Sequence, residues 1–359
     1  MKPFPRLGIC LTVGLILAGN LFAQEDSSQA PAFKSPAMTP RPLLDDYYVK
    51  VGGSAVWFNP SKYQLPTARD SATSFVSLPF TYNPSDVAGQ GGATVGFIIS
   101  HAPAADWLGT NLRVEVSGSY LGDDHKITAT DDAVGAGFYD VRSIAGDTLL
   151  GSIASPGNSV LATMFHAKYE MVNAEVLAKT DYSVDNGLLV FTPAAGFAFA
   201  YYDQKYSTQQ QNVTIAANNT SLNESMENSY YGPKLGFEIK GFVTRSLVLF
   251  AGASTSLFDL ESSYKGDQVV NSPGTTTAHL EESKNDFALR QQFEAGFYYD
   301  FKPLILRASG SGDYWQNVGT ITRSSPSPGD AFDASSAPTS IRKDAMLNAG
   351  ATVSLIYPF

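Results

Sequence analysis

Four things are scarce in this chain. Cysteine occurs once in 359 residues, as Cys10, which rules out a disulfide framework. Beyond the N-terminus no apolar run approaches the roughly 20 residues that a membrane-spanning helix needs. Charge is thin, at 16% of residues, and sums to −10, which argues against nucleic acid as a partner. Histidine occurs only as His101, His125, His166 and His279, so candidate general bases are few. Neither Gly-x-Ser-x-Gly nor His-Glu-x-x-His occurs. Asp123-Asp124 and Asp131-Asp132 lack the spacing of an EF-hand and suggest at most weak cation binding. Asp123-Asp124-His125 comes nearest to a catalytic cluster, but such a run is more often a solvated loop. No enzyme activity, cofactor or metal is expected.

What is present begins with an export signal. Lys2 and Arg6 precede an apolar run from Leu7 to Gly19 that is too short to span a membrane, and Leu21-Phe22-Ala23 supplies a cleavage site. Cys10 lies inside that run, so the mature chain has none. An uncleaved anchor is the alternative. Residues 24–46, rich in Pro, Ser and Ala, read as a disordered periplasmic tail. The rest, 47–359, is rich in Tyr, Phe, Gly and Ser and reads as strands.

The stretch Ala345 to Phe359 sets the pattern. Leu347, Ala349, Ala351, Val353, Leu355, Tyr357 and Phe359 fall on one side, and Asn348, Gly350, Thr352 and Ser354 on the other. A period of two with one wholly apolar face is a strand meeting an apolar medium on one side. Its aromatic end, Tyr357 and Phe359, resembles the C-terminal signal that the assembly machinery reads in bacterial outer-membrane barrels. Similar alternation predicts strands over 47–58, 92–101, 111–121, 161–179, 188–206, 230–243, 247–262, 286–301 and 304–315. That makes ten, all β, joined by connections that alternate long and short. This is the pattern of a transmembrane antiparallel up-and-down barrel with long external loops and short periplasmic turns. A hairpin hidden between Gly122 and Asn158 would make twelve. A soluble sandwich also alternates, but aromatics near strand ends (Tyr47, Trp57, Tyr201, Tyr231, Phe301, Tyr314, Phe359) match the girdles of a barrel in a membrane. In the strand 247–262 the faces cannot be assigned. In 161–179 the apolar phase slips near Met171-Val172, which reads as a β-bulge.

The polar faces carry both signs: Lys50, Arg113, Glu115, His166, Lys168, Glu170, Glu175, Lys179, Lys234, Glu238, Lys240, Arg290, Glu294, Arg307 and Asp313. In a barrel of about ten strands these point into one narrow lumen, where charges must pair. The expectation is a nearly balanced internal network with at most a constricted water path.

Three segments carry a family likeness: His166 to Lys179, Leu189 to Tyr206 with its Pro193-x-x-Gly196 and Gln204-Lys205, and Tyr231-Gly-Pro-Lys-Leu-Gly-Phe237. Together they resemble the Legionella-type major outer-membrane protein family. The likeness covers about a third of the chain, and Asn173 stands where that pattern has Asp. It implies a pore-forming outer-membrane barrel and brings no catalytic residues. The expected role is therefore a porin-like passive pore or a structural membrane protein, with a surface adhesin working through its external loops as the alternative. A barrel hydrolase is a third reading and would need His125. Expected partners are outer-membrane lipids, the barrel-assembly machinery and small solutes or ions. Oligomeric state stays open.

Overall fold

The computed structural model of the chain describes residues 47–60, 62–64, 67–71, 74–76, 81–82, 86–99, 112–132, 137–146, 149–155, 160–184, 188–215, 217–272, 274–323 and 339–359. The expected signal (1–23), the tail (24–46) and His101 lie outside them. Ten long strands form the wall: β1 (Tyr47–Phe58), β2 (Asp86–Ile99), β3 (Leu112–Asp132), β4 (Val160–Thr180), β5 (Leu189–Asn212), β6 (Asn219–Phe242), β7 (Leu247–Asn271), β8 (Thr275–Asp300), β9 (Ile305–Thr322) and β10 (Ser340–Pro358). Each pairs antiparallel with its chain neighbours, and β10 pairs with β1 from Trp57↔Ala349 to Tyr48↔Pro358, closing the ring. The Phe359 amide donates to the Tyr47 carbonyl at 2.9 Å, and the two rings stack at 6.1 Å. Pairing of β10 with β1 removes the two edges that an open ten-stranded sheet would leave bare in lipid.

The number of wall strands is ten. A hairpin does occur between β3 and β4, over Gly137–Arg142 and Leu149–Ser155, but it pairs with Thr67–Ser71 in a separate small sheet and adds nothing to the ring. The segments 207–228 and 263–284, expected as loops, are mostly wall. β5 and β6 stay paired out to Gln211↔Asn219, and β7 and β8 to Asn271↔Thr275.

These strands are 24 to 26 residues long, more than twice the roughly 9–11 residues that cross a bilayer. The outward face records where the crossing ends. On β7 it is apolar from Leu247 to Leu257 apart from Thr255, then turns charged at Asp259, Glu261 and Lys265. About 11 residues at ~3.4 Å, tilted by ~40°, give a belt of about 25–30 Å, the height of a membrane barrel's apolar band. Phe197, Leu235, Leu257 and Phe287 are all at least 61% exposed on it. At its loop-side margin Tyr120 and Tyr231 each donate a hydroxyl at 2.9 Å to a carboxylate, Glu170 and Asp259 respectively. Tyr47, Tyr299, Phe301, Tyr357 and Phe359 mark the turn-side margin.

The interior alternates with the same period but not the same chemistry. β4 runs without a bulge: its register to β3 and to β5 is continuous across Met171 and Val172. Phe165, Ala167, Tyr169 and Met171 therefore point inward with Glu175 and Lys179, and His166, Lys168 and Glu170 point outward. What reads as a slip of phase is the place where the wall leaves the membrane, with water outside and a packed core within. The faces of β7 also become assignable. Val248 and Phe250 face inward, and apolar residues on both sides hide the alternation.

β9 breaks at Gln316-Asn317, where Asn317 has φ 64° and the register to β10 shifts. Beyond the break it leaves β8, which it pairs only from Leu289 to Asp300, and leans into the barrel. Gly319 is buried there. Its carbonyl accepts from Gln204 Nε2 (2.9 Å) and Asn228 Nδ2 (3.1 Å), and an added Cβ would lie 2.2 Å from Asn228 Oδ1 and 2.7 Å from Met226 Cε. Gly319→Ala is expected to cost about 1–3 kcal/mol by overpacking, seen as a lower urea midpoint in lipid vesicles. An unchanged midpoint would show that β9 is not seated there.

Candidate functional site: the filled lumen

Three layers occupy the barrel interior. Nearest the short turns, Tyr48, Val248, Phe250, Tyr298, Ile305 and Ile356 pack together, all buried. Farthest from them, an aromatic mass built on Phe58, Tyr169, Tyr202, Tyr230, Phe258 and Trp315 fills the upper wall. The β1–β2 connection folds into this mass: Tyr63 stacks on Tyr206 at 4.2 Å and Tyr82 lies 4.9 Å from Phe165. Above it the Glu224 carboxylate, fully buried, is held by Arg323 and by the hydroxyls of Tyr63 and Tyr264.

The charged belt lies between. Arg113 bonds Glu115 (3.1 Å) and Asp181 (3.0 Å), and Lys179 bonds Glu115 (2.5 Å). Lys234 holds Glu175 (2.5 Å), while Lys240 spans Glu238 (3.2 Å) and Asp181 (3.7 Å). Arg290 grips Asp313 with Nε at 2.9 Å and Nη2 at 2.7 Å, and Arg307 takes Glu294 at 2.6 Å. Low dielectric strengthens each pair but also charges each ion its desolvation, so such a belt holds only when nearly every member has a partner. The Arg307 guanidinium lies 4.4 Å above the Phe250 ring and that of Arg290 4.3 Å above Trp315. One arginine thus fastens the belt to each apolar layer.

Twelve of the fifteen residues expected in the network face this interior; His166, Lys168 and Glu170 do not, for the reason given above. Asp181 belongs to the belt although alternation did not assign it. It continues the inward phase of Glu175, Leu177 and Lys179 just past the end of β4. Asn173 and Gln292 join as neutral acceptors, for Arg290 (3.1 Å) and Lys234 (2.7 Å). A cavity of about 360 Å³ remains beside the pairs. All ten wall strands line it: small residues such as Gly52, Ser54, Thr94, Gly350 and Thr352 border it on β1, β2 and β10, and charged members of the belt border it elsewhere.

The Asp123-Asp124-His125 run does not make one site. His125 pairs with Asp123 (2.7 Å) on the inner face, whereas Asp124 faces outward to His166 (2.7 Å). His279 pairs with Asp267 on the exposed hairpin of β7 and β8. The side chains of Asp131 and Asp132 lie outside the described residues, among which no three His, Cys, Asp or Glu converge as metal ligands.

In three-dimensional comparison the chain is similar to the outer membrane protease OmpT from Escherichia coli, at 12% identity, covering 90% of this chain and 100% of that one, with a TM-score of 0.40. It is also similar to a major outer membrane protein from Thermus thermophilus (11% identity, 87% and 99% covered, TM-score 0.33). The transport unit of the autotransporter AIDA-I from Escherichia coli is a third (8%, 97% and 97%, 0.28). No family model matches the sequence, and no curated protein matches it. These likenesses are of barrel architecture and bring no activity with them.

Proposed function

We propose that this chain is a closed, structural barrel of the bacterial outer membrane: it anchors a stiff, side-chain-filled wall above the lipid and catalyses nothing. One observation carries the reading. Two apolar layers lie in series with a paired charge belt, so a hydrated ion would meet dry walls on both sides of the belt. The likeness to a pore-forming family points the other way, toward conduction, but rests on short motifs in a third of the chain. The Phe359 end, stacked on Tyr47 and paired to β1, is where assembly machinery and lipid would act.

Purified barrel in planar bilayers is expected to give no steady conductance, and liposomes carrying it should not swell in small sugars. A stable open level with swelling would restore the passive pore. A surface adhesin is the second reading, favoured by one feature: from Thr275 to Ala288, β8 has no strand partner on its β9 side among the described residues. An edge of this kind can accept an added strand.

A further inference from the structure

The charges of the belt do not cancel. Seven cations and six carboxylates face one another among the described residues, and the pairing given above leaves one over. Every arginine and lysine of the belt has a carboxylate within 4 Å except Lys50. The charges that act on it come from Arg307, Glu115, Lys179 and Glu294. Both of those carboxylates are taken: Glu115 by Arg113 and Lys179, Glu294 by Arg307 and the Ser309 hydroxyl at 2.6 Å. Lys50 and the cations around it thus share two carboxylates.

Lys50 also borders open space within the belt: it lines the cavity. Its cross-strand partners are Thr94 on β2 and Ile356 on β10. Beside it Ser54 and Thr352 hydrogen-bond at 2.7 Å. At Gly52 a Cβ would come within 2.3 Å of Ser354 Oγ, so the glycine lets β1 and β10 approach closely there. The cavity is lined by five carboxylates as well, Glu115, Glu175, Glu238, Glu294 and Asp313, but each of them already holds a lysine or arginine. The Lys50 ammonium, left with the surplus positive charge among wall hydroxyls, therefore lacks one thing: a single negative charge of its own that accepts hydrogen bonds.

We propose that the cavity binds one small monovalent anion against the Lys50 ammonium, with hydroxyls of the β1, β2 and β10 wall as further donors. The ligand completes the belt and contributes to the stability of the barrel. The stoichiometry follows from the surplus: a second anion would have no unpaired cation to meet.

Bromide is a suitable probe, because it is monovalent and scatters anomalously. Titrated into folded barrel in neutral detergent, at ionic strength held constant with sulfate, it is expected to raise the unfolding midpoint by about 3 °C or more and then saturate. Crystals grown in bromide should show one anomalous peak beside Lys50. In Lys50→Met and Lys50→Gln the bromide dependence and the peak should both vanish. The heat-modified gel shift of each variant reports whether it still folds, and the wild-type crystal stands whatever the variants do. No peak in the cavity, or the same bromide dependence in the variants as in the wild type, overturns the proposal. A barrel indifferent to bromide would overturn it too, and would mean that the lumen balances its charge in another way, by an uncharged Lys50.

Discussion

Arg290→Ala should destabilise the barrel by about 3–5 kcal/mol, because it strands a carboxylate rather than merely deleting a contact. The guanidinium grips Asp313 through two nitrogens, bonds Asn173 Oδ1 at 3.1 Å and lies over Trp315. Its side chain is 8% exposed and that of Asp313 19%, so water does little to replace it. Asp313→Asn leaves the arginine's charge without its carboxylate and should also destabilise the barrel, although the amide oxygen still accepts from the guanidinium and the Trp315 contact stays. The pair Arg290→Met with Asp313→Leu should recover most of the loss, since no ion is then left without a partner. Urea unfolding in lipid vesicles separates the cases. If the single and double variants unfold at the same midpoint, the belt is not held by pairing.

Tyr63→Ala should release the β1–β2 connection while leaving the ten-strand wall intact. Tyr63 is 1% exposed although it belongs to a connection rather than to the wall. It stacks on Tyr206, donates its hydroxyl to Glu224, and lies under Arg323, whose guanidinium is 5.0 Å from the ring. Burial first, and then the Glu224 carboxylate, push this hydroxyl well above the ordinary phenol range, so it stays protonated and keeps donating. Loss of the ring and of the hydrogen bond together should cost about 3–5 kcal/mol locally. The connection should become cleavable by protease in folded barrel. Tyr63→Phe, which keeps the stack, should stay resistant or nearly so. Equal resistance in wild type and Tyr63→Ala would show that other contacts hold the connection down.

Much of this architecture can be read from the residues. Within the membrane one medium lies outside each strand, so Leu235, Phe237 and Ile239 against Lys234, Glu238 and Lys240 say which way the wall faces. The reading fails where the medium changes. Above the belt the outside is water and the inside is packed, so Tyr169 and Lys168 exchange sides relative to the chemistry of Val176 and Glu175 while the period of two runs on unbroken. Length was the available signal, since a strand much longer than the roughly 9–11 residues of a crossing overshoots the bilayer. Val248 and Phe250 hide alternation for the converse reason: an apolar layer crosses the lumen inside the membrane, and both faces of β7 are apolar there. Pairing partners such as Arg290 with Asp313 join residues 23 apart, and the Glu224–Arg323 pair joins residues 99 apart. Strand periodicity is silent on both. The inward lean of β9 hangs on Asn317 and Gly319, two residues that alternation treats as ordinary wall.

The length of the outer wall has a consequence for reach. From Phe258 to Asn271, β7 continues about 14 residues beyond the apolar band, which at ~3.4 Å per residue and ~40° of tilt is about 35 Å. Because Tyr264 and Met226 pack its interior, that height is carried by a braced column and not by slack loops. In the outer-membrane placement proposed above, with the long hairpins outward, a molecule approaching the cell would encounter the hairpin of β7 and β8 well before it encountered lipid. The distance between that first point of touch and the bilayer should be nearly constant from one copy to the next.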